Sequence, residues 1–87
     1  MKIISGSSQR KLAVSIAQIL GIKHIAAKVN YFEDKELRIE IFEPLFEEDI
    51  IILQSTSSPA NDHLMELLLL IDTAYRAGAK RIIAAIP

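Results

Sequence analysis

The sequence predicts an α/β fold in which helices pack on a mainly parallel sheet, with the element order β-α-β-β-β-α-β. The apolar run 50–53 is uninterrupted, and the run 81–86 is nearly so, which is typical of strands covered on both faces. Two longer segments with helical periodicity lie between the predicted strands. Strands and helices that alternate in this way usually form parallel sheets.

The first predicted unit consists of a strand, a turn and a helix. Residues 2–5 form a short apolar strand, and the small residues 6–8 follow as a turn. We expect Ser7 or Ser8 to cap the helix, and Gly21 stands where a left-handed C-terminal residue belongs. The apolar residues expected on one side of this helix are Leu12, Ala13, Ile16, Ile19 and Leu20.

Two further strands, 25–29 and 37–41, are predicted in the middle of the chain. In the second, Leu37, Ile39 and Ile41 alternate with charged residues, which is typical of a strand with one face in water. We expect these strands to form an antiparallel excursion within the parallel sheet. The loop between them, 30–36, is polar and contains two aromatic residues.

The segment 61–81 has the pattern of a helix that ends near Gly78. This helix has more apolar surface than a chain of this length can cover. Ser58 or Asn61 is expected to cap it. On a helical wheel the polar side comprises Asp62, Glu66, Thr73 and Arg76. Leu69 and Leu70 intrude on that side, which predicts a second contact with another domain, another subunit or further C-terminal chain. The alternative is a well-buried helix with scattered surface leucines.

Composition limits the class of protein. The 87 residues form at most one small domain, 1–87, and their 51% hydrophobic content is high for a small domain that stands alone. A net charge of −1 gives no general attraction to nucleic acid or acidic membranes. The absence of cysteine excludes disulfides and thiolate catalysis. Without a recognisable signal peptide or a long apolar run, we expect a cytoplasmic protein with no nucleic-acid or membrane partner.

Most polar clusters in the sequence have ordinary structural explanations. The loops 5–8 and 54–58 follow predicted strands and could hold a phosphate, but turns and helix caps explain them more simply. His24 and His63 lack companions at metal-ligand spacing, and the acidic residues 43–49 are typical of a solvated turn. The residues alone indicate no catalytic group and no metal site.

The loop 32–36 is chemically more specific. Phe32 could stack on a nucleobase, while neighbouring carboxylates accept hydrogen bonds from an exocyclic amine or a ribose hydroxyl. A solvated hairpin with the phenylalanine tucked inward is the competing interpretation.

Several segments together resemble the amino-terminal region of ribose-phosphate diphosphokinase, the enzyme also called phosphoribosyl pyrophosphate synthetase. They are the opening I-I-S-G-S-S-Q-R-K-L-A, the loop F-E-D-K-E, the strand exit I-I-L-Q-S-T, the helix start N-D-H-L-M-E-L-L-L-L-I-D-T-A and the ending R-A-G-A-K-R-I-I-A-A-I-P. Their order and spacing are those of the family over the whole of 1–87, with the helix start as the most specific motif.

The resemblance implies an incomplete type I phosphoribosyltransferase-like N-terminal domain, about the first quarter to third of a family subunit. The activity it implies is transfer of diphosphate from MgATP to ribose 5-phosphate. The Mg²⁺ ligands and the catalytic loops of the family would all lie beyond Pro87. We therefore expect no turnover by this chain alone, and either a homo-oligomer or a complementary C-terminal chain as its partner.

The resemblance also assigns a role to the loop. In the family this loop contacts the ATP base in the site of a neighbouring subunit. Residue by residue, Phe32 would stack on adenine, and Asp34 and Glu36 would accept hydrogen bonds. Lys35 would supply contact through its backbone, alone or together with its side chain.

Two positions depart from the family pattern. Lys35 stands where glycine is common, so a positive φ or a close approach there would strain or displace the loop. The segment Pro44-Leu45-Phe46-Glu47 stands where the family usually has a V-R-G-like sequence, whose arginine helps to bind a regulatory phosphate or ADP. Phe46 cannot bind phosphate and Glu47 would repel it, so family-style regulation is not expected.

Three hypotheses follow. The chain is an N-terminal fragment of such an enzyme, a non-catalytic module that docks with other subunits, or a decayed coding remnant that does not fold stably.

Overall fold

The computed structural model describes residues 1–31 and 36–87. Within these ranges the chain forms two helices and six strands, with the element order β-α-β-β-β-β-α-β. The strands are β1 (Lys2–Ser5), β2 (Lys23–Ala26), β3 (Lys28–Tyr31), β4 (Leu37–Glu40), β5 (Asp49–Leu53) and β6 (Arg81–Ala85). The helices are α1 (Arg10–Leu20) and α2 (Ala60–Arg76).

The main sheet has the strand order β2-β1-β5-β6, and all its neighbours pair in parallel. Successive residues of β1 point to opposite faces, so Ile3 packs with Ala13 and Ala17 of α1, whereas Ile4 packs in the cluster that contains Leu67 and Leu70 of α2. The two helices therefore cover opposite faces of the sheet. The predicted α/β fold with a mainly parallel sheet is confirmed.

The predicted strand 25–29 is two strands. The chain leaves the main sheet at Ala27, whose backbone N–H donates to the carbonyl of Ser5 at 3.0 Å. It continues as β3, which pairs antiparallel with β4 in a separate two-stranded sheet. In this hairpin, Ile39 packs on the core cluster under α2, and so does Ile41, just past the end of β4. The predicted antiparallel strands thus form a hairpin that packs beside α2. They lie outside the main sheet and not within it.

The predicted helix caps are only partly correct. Gly21 ends α1 in the left-handed conformation, as expected. At the start of α1, however, Gln9 is the N-cap residue and makes no side-chain cap bond. For α2 the N-cap is Pro59, so Ser58 and Asn61 do not cap it.

The turn before β5 packs against the turn before β6. The backbone N–H of Glu47 donates to the carbonyl of Gly78 at 2.9 Å. A Cβ at Gly78 would lie 2.6 Å from Cδ2 of Phe46, so the ring covers the glycine closely. Glu47 itself has a φ of +62°, which glycine adopts far more easily than glutamate.

The helical wheel correctly placed Asp62 and Arg76 on an exposed side of α2, but it was wrong for Glu66 and Leu70. Glu66 and Leu70 are both fully buried, and Leu69 is half-buried. The apolar residues that α2 exposes are Leu64, Met65, Leu68 and Tyr75. The helix therefore has an exposed apolar stripe, but these residues form it in place of the predicted Leu69 and Leu70. In the ranges that the structure describes, neither helix has the length and apolar character needed to cross a membrane.

Candidate functional site

Two loops meet where β1 and β5 end. These strands are neighbours in a parallel sheet, so the turn after Ser5 and the loop after Leu53 emerge at the same edge. The hydroxyl of Ser8 donates to Oε1 of Gln54 at 2.9 Å and accepts the backbone N–H of Ser55 at 3.0 Å. Ser8, one of the two serines predicted to cap α1, therefore joins the two loops.

A buried carboxylate lies beneath these loops. Glu66 of α2 is fully buried, and its oxygens lie 2.6 and 2.7 Å from the hydroxyl of Ser7. The backbone N–H of Ser7 donates to Oε2 at 3.2 Å, and Nε2 of Gln54 donates to the same oxygen at 2.6 Å. Hydrogen bonds to an ionised acceptor are stronger than those between neutral groups, and they offset the cost of burying the carboxylate.

Gly6 is needed for this arrangement. A Cβ there would lie 2.7 Å from Oε1 of Gln54 and 3.0 Å from Oε2 of Glu66, both of which are buried. It would also lie 3.1 Å from Cδ1 of Leu70. Because these neighbours are held in the core, a side chain at position 6 would displace the hydrogen-bonded carboxylate.

The hairpin reaches the same carboxylate. Tyr31, the last residue of β3, donates its hydroxyl to Oε1 of Glu66 at 3.2 Å. Partial burial raises the pKa of Tyr31, and the charge and hydrogen bond of Glu66 add to the effect, with a smaller contribution from Asp62. Glu66 therefore connects the β1–α1 turn, the β5–α2 loop and the hairpin. We call Ser7, Tyr31, Gln54 and Glu66 the Glu66 network.

His24 takes part in contacts that stabilise the fold. Its Nε2 lies 2.7 Å from the hydroxyl of Ser5, which is fully buried. Partial burial lowers the pKa of His24, and the charge of Arg10 lowers it further. The Arg10 guanidinium in turn donates to the carbonyls of Gly6 and Ala27 at 2.8 and 3.1 Å. These hydrogen bonds of His24 and Arg10 hold together β1, β2 and Ala27, where the chain leaves for the hairpin.

The other polar residues singled out in the sequence take part in local bonds and ion pairs. Nδ1 of His63 lies 2.7 Å from the carbonyl of Ser57. Glu43 pairs with Lys23 at 2.8 Å, and Asp49 pairs with Arg81 at 3.3 Å. The described residues contain no group of three or more His, Asp or Glu side chains that could hold a metal ion.

Of the four residues predicted to contact ATP, one lies in the described part of the chain. Phe32, Asp34 and Lys35 lie outside the described residues. Glu36 is exposed just before β4, and its carboxylate lies 3.6 Å from the guanidinium of Arg38. It stands next to Leu37, which pairs with Tyr31 across the hairpin. Sequence reasoning did not find the Glu66 network, although a single carboxylate inside the apolar run M-E-L-L-L-L was a signal for it.

Residues 1–87 match a family model described as the N-terminal domain of ribose phosphate pyrophosphokinase. The chain belongs to this family. Among curated ribose-phosphate pyrophosphokinases, it is 52% identical over 87 residues to that of Brucella melitensis and 49% identical to that of Agrobacterium fabrum. The whole chain aligns in both cases, but it spans only 28% of the length of these relatives. The resemblance inferred from the motifs is confirmed.

Solved structures show the same fold. The phosphoribosylpyrophosphate synthetase of Mycobacterium smegmatis is similar with a TM-score of 0.90 and 32% identity, over 99% of this chain and 29% of that one. A purine phosphoribosyltransferase of Pyrococcus horikoshii has a TM-score of 0.76 at 23% identity, over 98% of this chain and 58% of that one. This second likeness concerns the fold alone. It confirms the phosphoribosyltransferase-like architecture expected for a ribose phosphate pyrophosphokinase N-terminal domain.

Proposed function

We propose that this chain acts as the N-terminal part of a ribose-phosphate pyrophosphokinase. The complete enzyme transfers diphosphate from MgATP to the 1-hydroxyl of ribose 5-phosphate, which gives 5-phosphoribosyl 1-diphosphate for nucleotide biosynthesis in the cytoplasm. The single observation that supports this most strongly is the match of all 87 residues to the N-terminal domain of that enzyme family.

The contribution of the chain is the adenine side of an ATP site that a neighbouring subunit completes. Phe32 stacks on the base, Asp34 and Glu36 accept its hydrogen bonds, and Lys35 makes backbone contact. The exposed position of Glu36 beside β4 is compatible with a role across an interface.

Metal binding and the chemical step belong to the remainder of the enzyme. Phosphoryl-type transfer depends on positioning and on charge stabilisation around the attacked phosphorus. We assign Mg²⁺ to the part of the enzyme outside the aligned 87 residues, which make up 28% of the length of the Brucella melitensis relative. The 87-residue chain alone is expected to show no turnover and to need either further copies or a complementary C-terminal chain.

A fusion protein tests the proposal. This chain replaces the aligned 87 residues of the Brucella melitensis relative, and AMP release from MgATP and ribose 5-phosphate is measured in a coupled assay. We expect turnover by the fusion and none by the isolated chain. A fusion that folds and assembles like the parent relative but releases no AMP would contradict the proposal, as would turnover by the isolated chain.

The exposed stripe of α2 favours a second candidate, a non-catalytic module that docks with other subunits. Leu64, Met65 and Leu68 are each about half exposed on the same helix face, and such apolar patches often mark contacts between proteins. Sedimentation of the purified chain, alone and mixed with the Brucella melitensis enzyme, tests this candidate. A complex that Leu68→Lys weakens supports docking through this face, whereas the absence of any complex counts against it.

A further inference from the structure

The β3–β4 hairpin depends on contacts outside its own two strands. An isolated two-stranded hairpin is at best marginally stable in water, so packing and hydrogen bonds to the rest of the chain must hold it. At its inner end, Ala27 is bonded to Ser5 and Ile39 packs on the core. At its outer end, the hydroxyl of Tyr31 donates to Glu66.

Glu66 is a fixed acceptor for this outer contact. Its carboxylate is fully buried and also accepts from the Ser7 hydroxyl, the Ser7 N–H and the Gln54 side-chain amide. Rotation of the carboxylate would break the 2.6 Å bond from the fully buried Gln54 side chain and the 3.2 Å bond from the Ser7 N–H, which is costly. The position of the Tyr31 hydroxyl is therefore set by the core and not by solvent.

The register of the hairpin links the position of the Tyr31 hydroxyl to the position of Glu36. Tyr31 pairs with Leu37, and Glu36 directly precedes Leu37 in the chain. Tyr31 is 53% exposed, so the contact of its ring with the core is small and the hydroxyl contributes much of its restraint. Loss of the hydroxyl should loosen this end of the hairpin while the main sheet stays intact.

We propose that Tyr31 and Glu66 are positioning residues for the nucleotide-contacting end of the β3–β4 hairpin, an inference that rests on the proposed function. The Tyr31–Glu66 hydrogen bond fixes the hairpin end on α2, and this sets where Glu36 is presented to the adenine side of the ATP site. Neither residue touches the nucleotide. The substrate affected is ATP, and ribose 5-phosphate is not.

The first test uses the purified 87-residue chain and amide hydrogen exchange. Tyr31→Phe removes the hydroxyl and retains the ring, and it should speed exchange in β3 and β4 by about twofold to tenfold, the effect of one lost hydrogen bond. Exchange in β1 and β5 should not change. Tyr75→Phe is the matched control, because Tyr75 lies exposed on α2, and it should leave exchange in the hairpin unchanged. Unchanged exchange in the hairpin of Tyr31→Phe would overturn the inference.

The second test separates positioning from a structural role. In the Brucella melitensis fusion, Tyr31→Phe should raise the KM for ATP by about twofold to tenfold, with little change in kcat or in the KM for ribose 5-phosphate. Tyr75→Phe should change none of these values. An active fusion in which Tyr31→Phe leaves the KM for ATP unaltered would overturn this inference but leave the proposed function standing. An inactive parent fusion would contradict the proposed function itself, and the inference with it.

Discussion

Ser7 and Glu66, which lie 59 positions apart in the chain, are joined by a hydrogen bond from the Ser7 hydroxyl at 2.6 Å. Gln54 donates to the same buried carboxylate at 2.6 Å, so one charged side chain of α2 holds the turn after β1 and the loop after β5. A buried charge is tolerated only when donors surround it, and the local stability of the edge should therefore depend on Glu66.

Replacement of Glu66 by glutamine tests this dependence. The variant keeps the size of the side chain but turns an amide group towards donors on Ser7 or Gln54, so we expect a loss of about 1–3 kcal/mol in the free energy of unfolding. Asp72→Asn is the control on the same helix. It weakens an exposed ion pair with Arg76 and should cost about 0.5 kcal/mol or less. Urea unfolding of both variants gives the comparison, and a Glu66→Gln variant as stable as the parent would refute the expectation.

The phenol of Tyr31 should ionise at unusually high pH. Partial burial and the neighbouring Glu66 carboxylate raise the pKa of Tyr31 above 10.0, so its stabilising contribution is complete below pH 10 and is lost as the pH rises through the folded value. The chain has two tyrosines, and Tyr75→Phe leaves Tyr31 as the only chromophore of this kind. An absorbance titration of that variant should have its midpoint above pH 10. In the double variant that also carries Glu66→Gln, the midpoint should lie closer to pH 10. A midpoint at or below pH 10 would argue against the contact.

His24 should make the stability of the fold sensitive to mild acid. Partial burial and the charge of Arg10 lower the pKa of His24 below 6.5, so the unfolded chain takes up a proton more readily than the folded one. The free energy of unfolding should therefore fall as the pH drops below 6.5, until the folded pKa is passed. Proton NMR should show His24 titrating below pH 6.5, and His24→Gln should flatten this part of the stability profile. A His24 midpoint above 6.5 would contradict the assigned environment.

The backbone at Glu47 offers a stabilising substitution. Its φ of +62° costs an L residue about 1 kcal/mol, and glycine avoids that cost at the expense of greater freedom in the unfolded chain. We expect Glu47→Gly to raise the free energy of unfolding by up to about 1 kcal/mol. Glu47→Ala removes the charge but keeps the Cβ, so it should give no such gain. Equal effects of the two substitutions in urea unfolding would show that charge, not backbone conformation, is responsible.

The sequence predicted the fold well where local patterns decide it. The apolar runs located β1, β5 and β6, and Gly21 marked the end of α1. The prediction of a single strand 25–29 was wrong. The chain divides at Ala27 because each half pairs with a different strand, and residue types do not encode the choice of partner locally.

The site was predicted less well, for a related reason. A helical wheel treats every glutamate as a surface residue, but Glu66 is buried because its donors come from segments 12, 35 and 59 positions away. The same long-range bonds remove Ser7 and Ser8 from the cap role that their spacing favoured. The predicted ATP contacts came from resemblance to a family, and three of the four lie outside the described residues, so that assignment stays a prediction.

The proposed contribution of this chain to the adenine side of an ATP site is tested most directly by the steady-state kinetics of Phe32→Ala in the Brucella melitensis fusion. Loss of a stacked base contact is worth about 1–3 kcal/mol, so the KM for ATP should rise by about fivefold to a hundredfold while the KM for ribose 5-phosphate stays constant. Phe42→Ala, at a phenylalanine that is 74% exposed, is the control and should change neither value. An unchanged KM for ATP in Phe32→Ala, in an otherwise active fusion, would contradict the account.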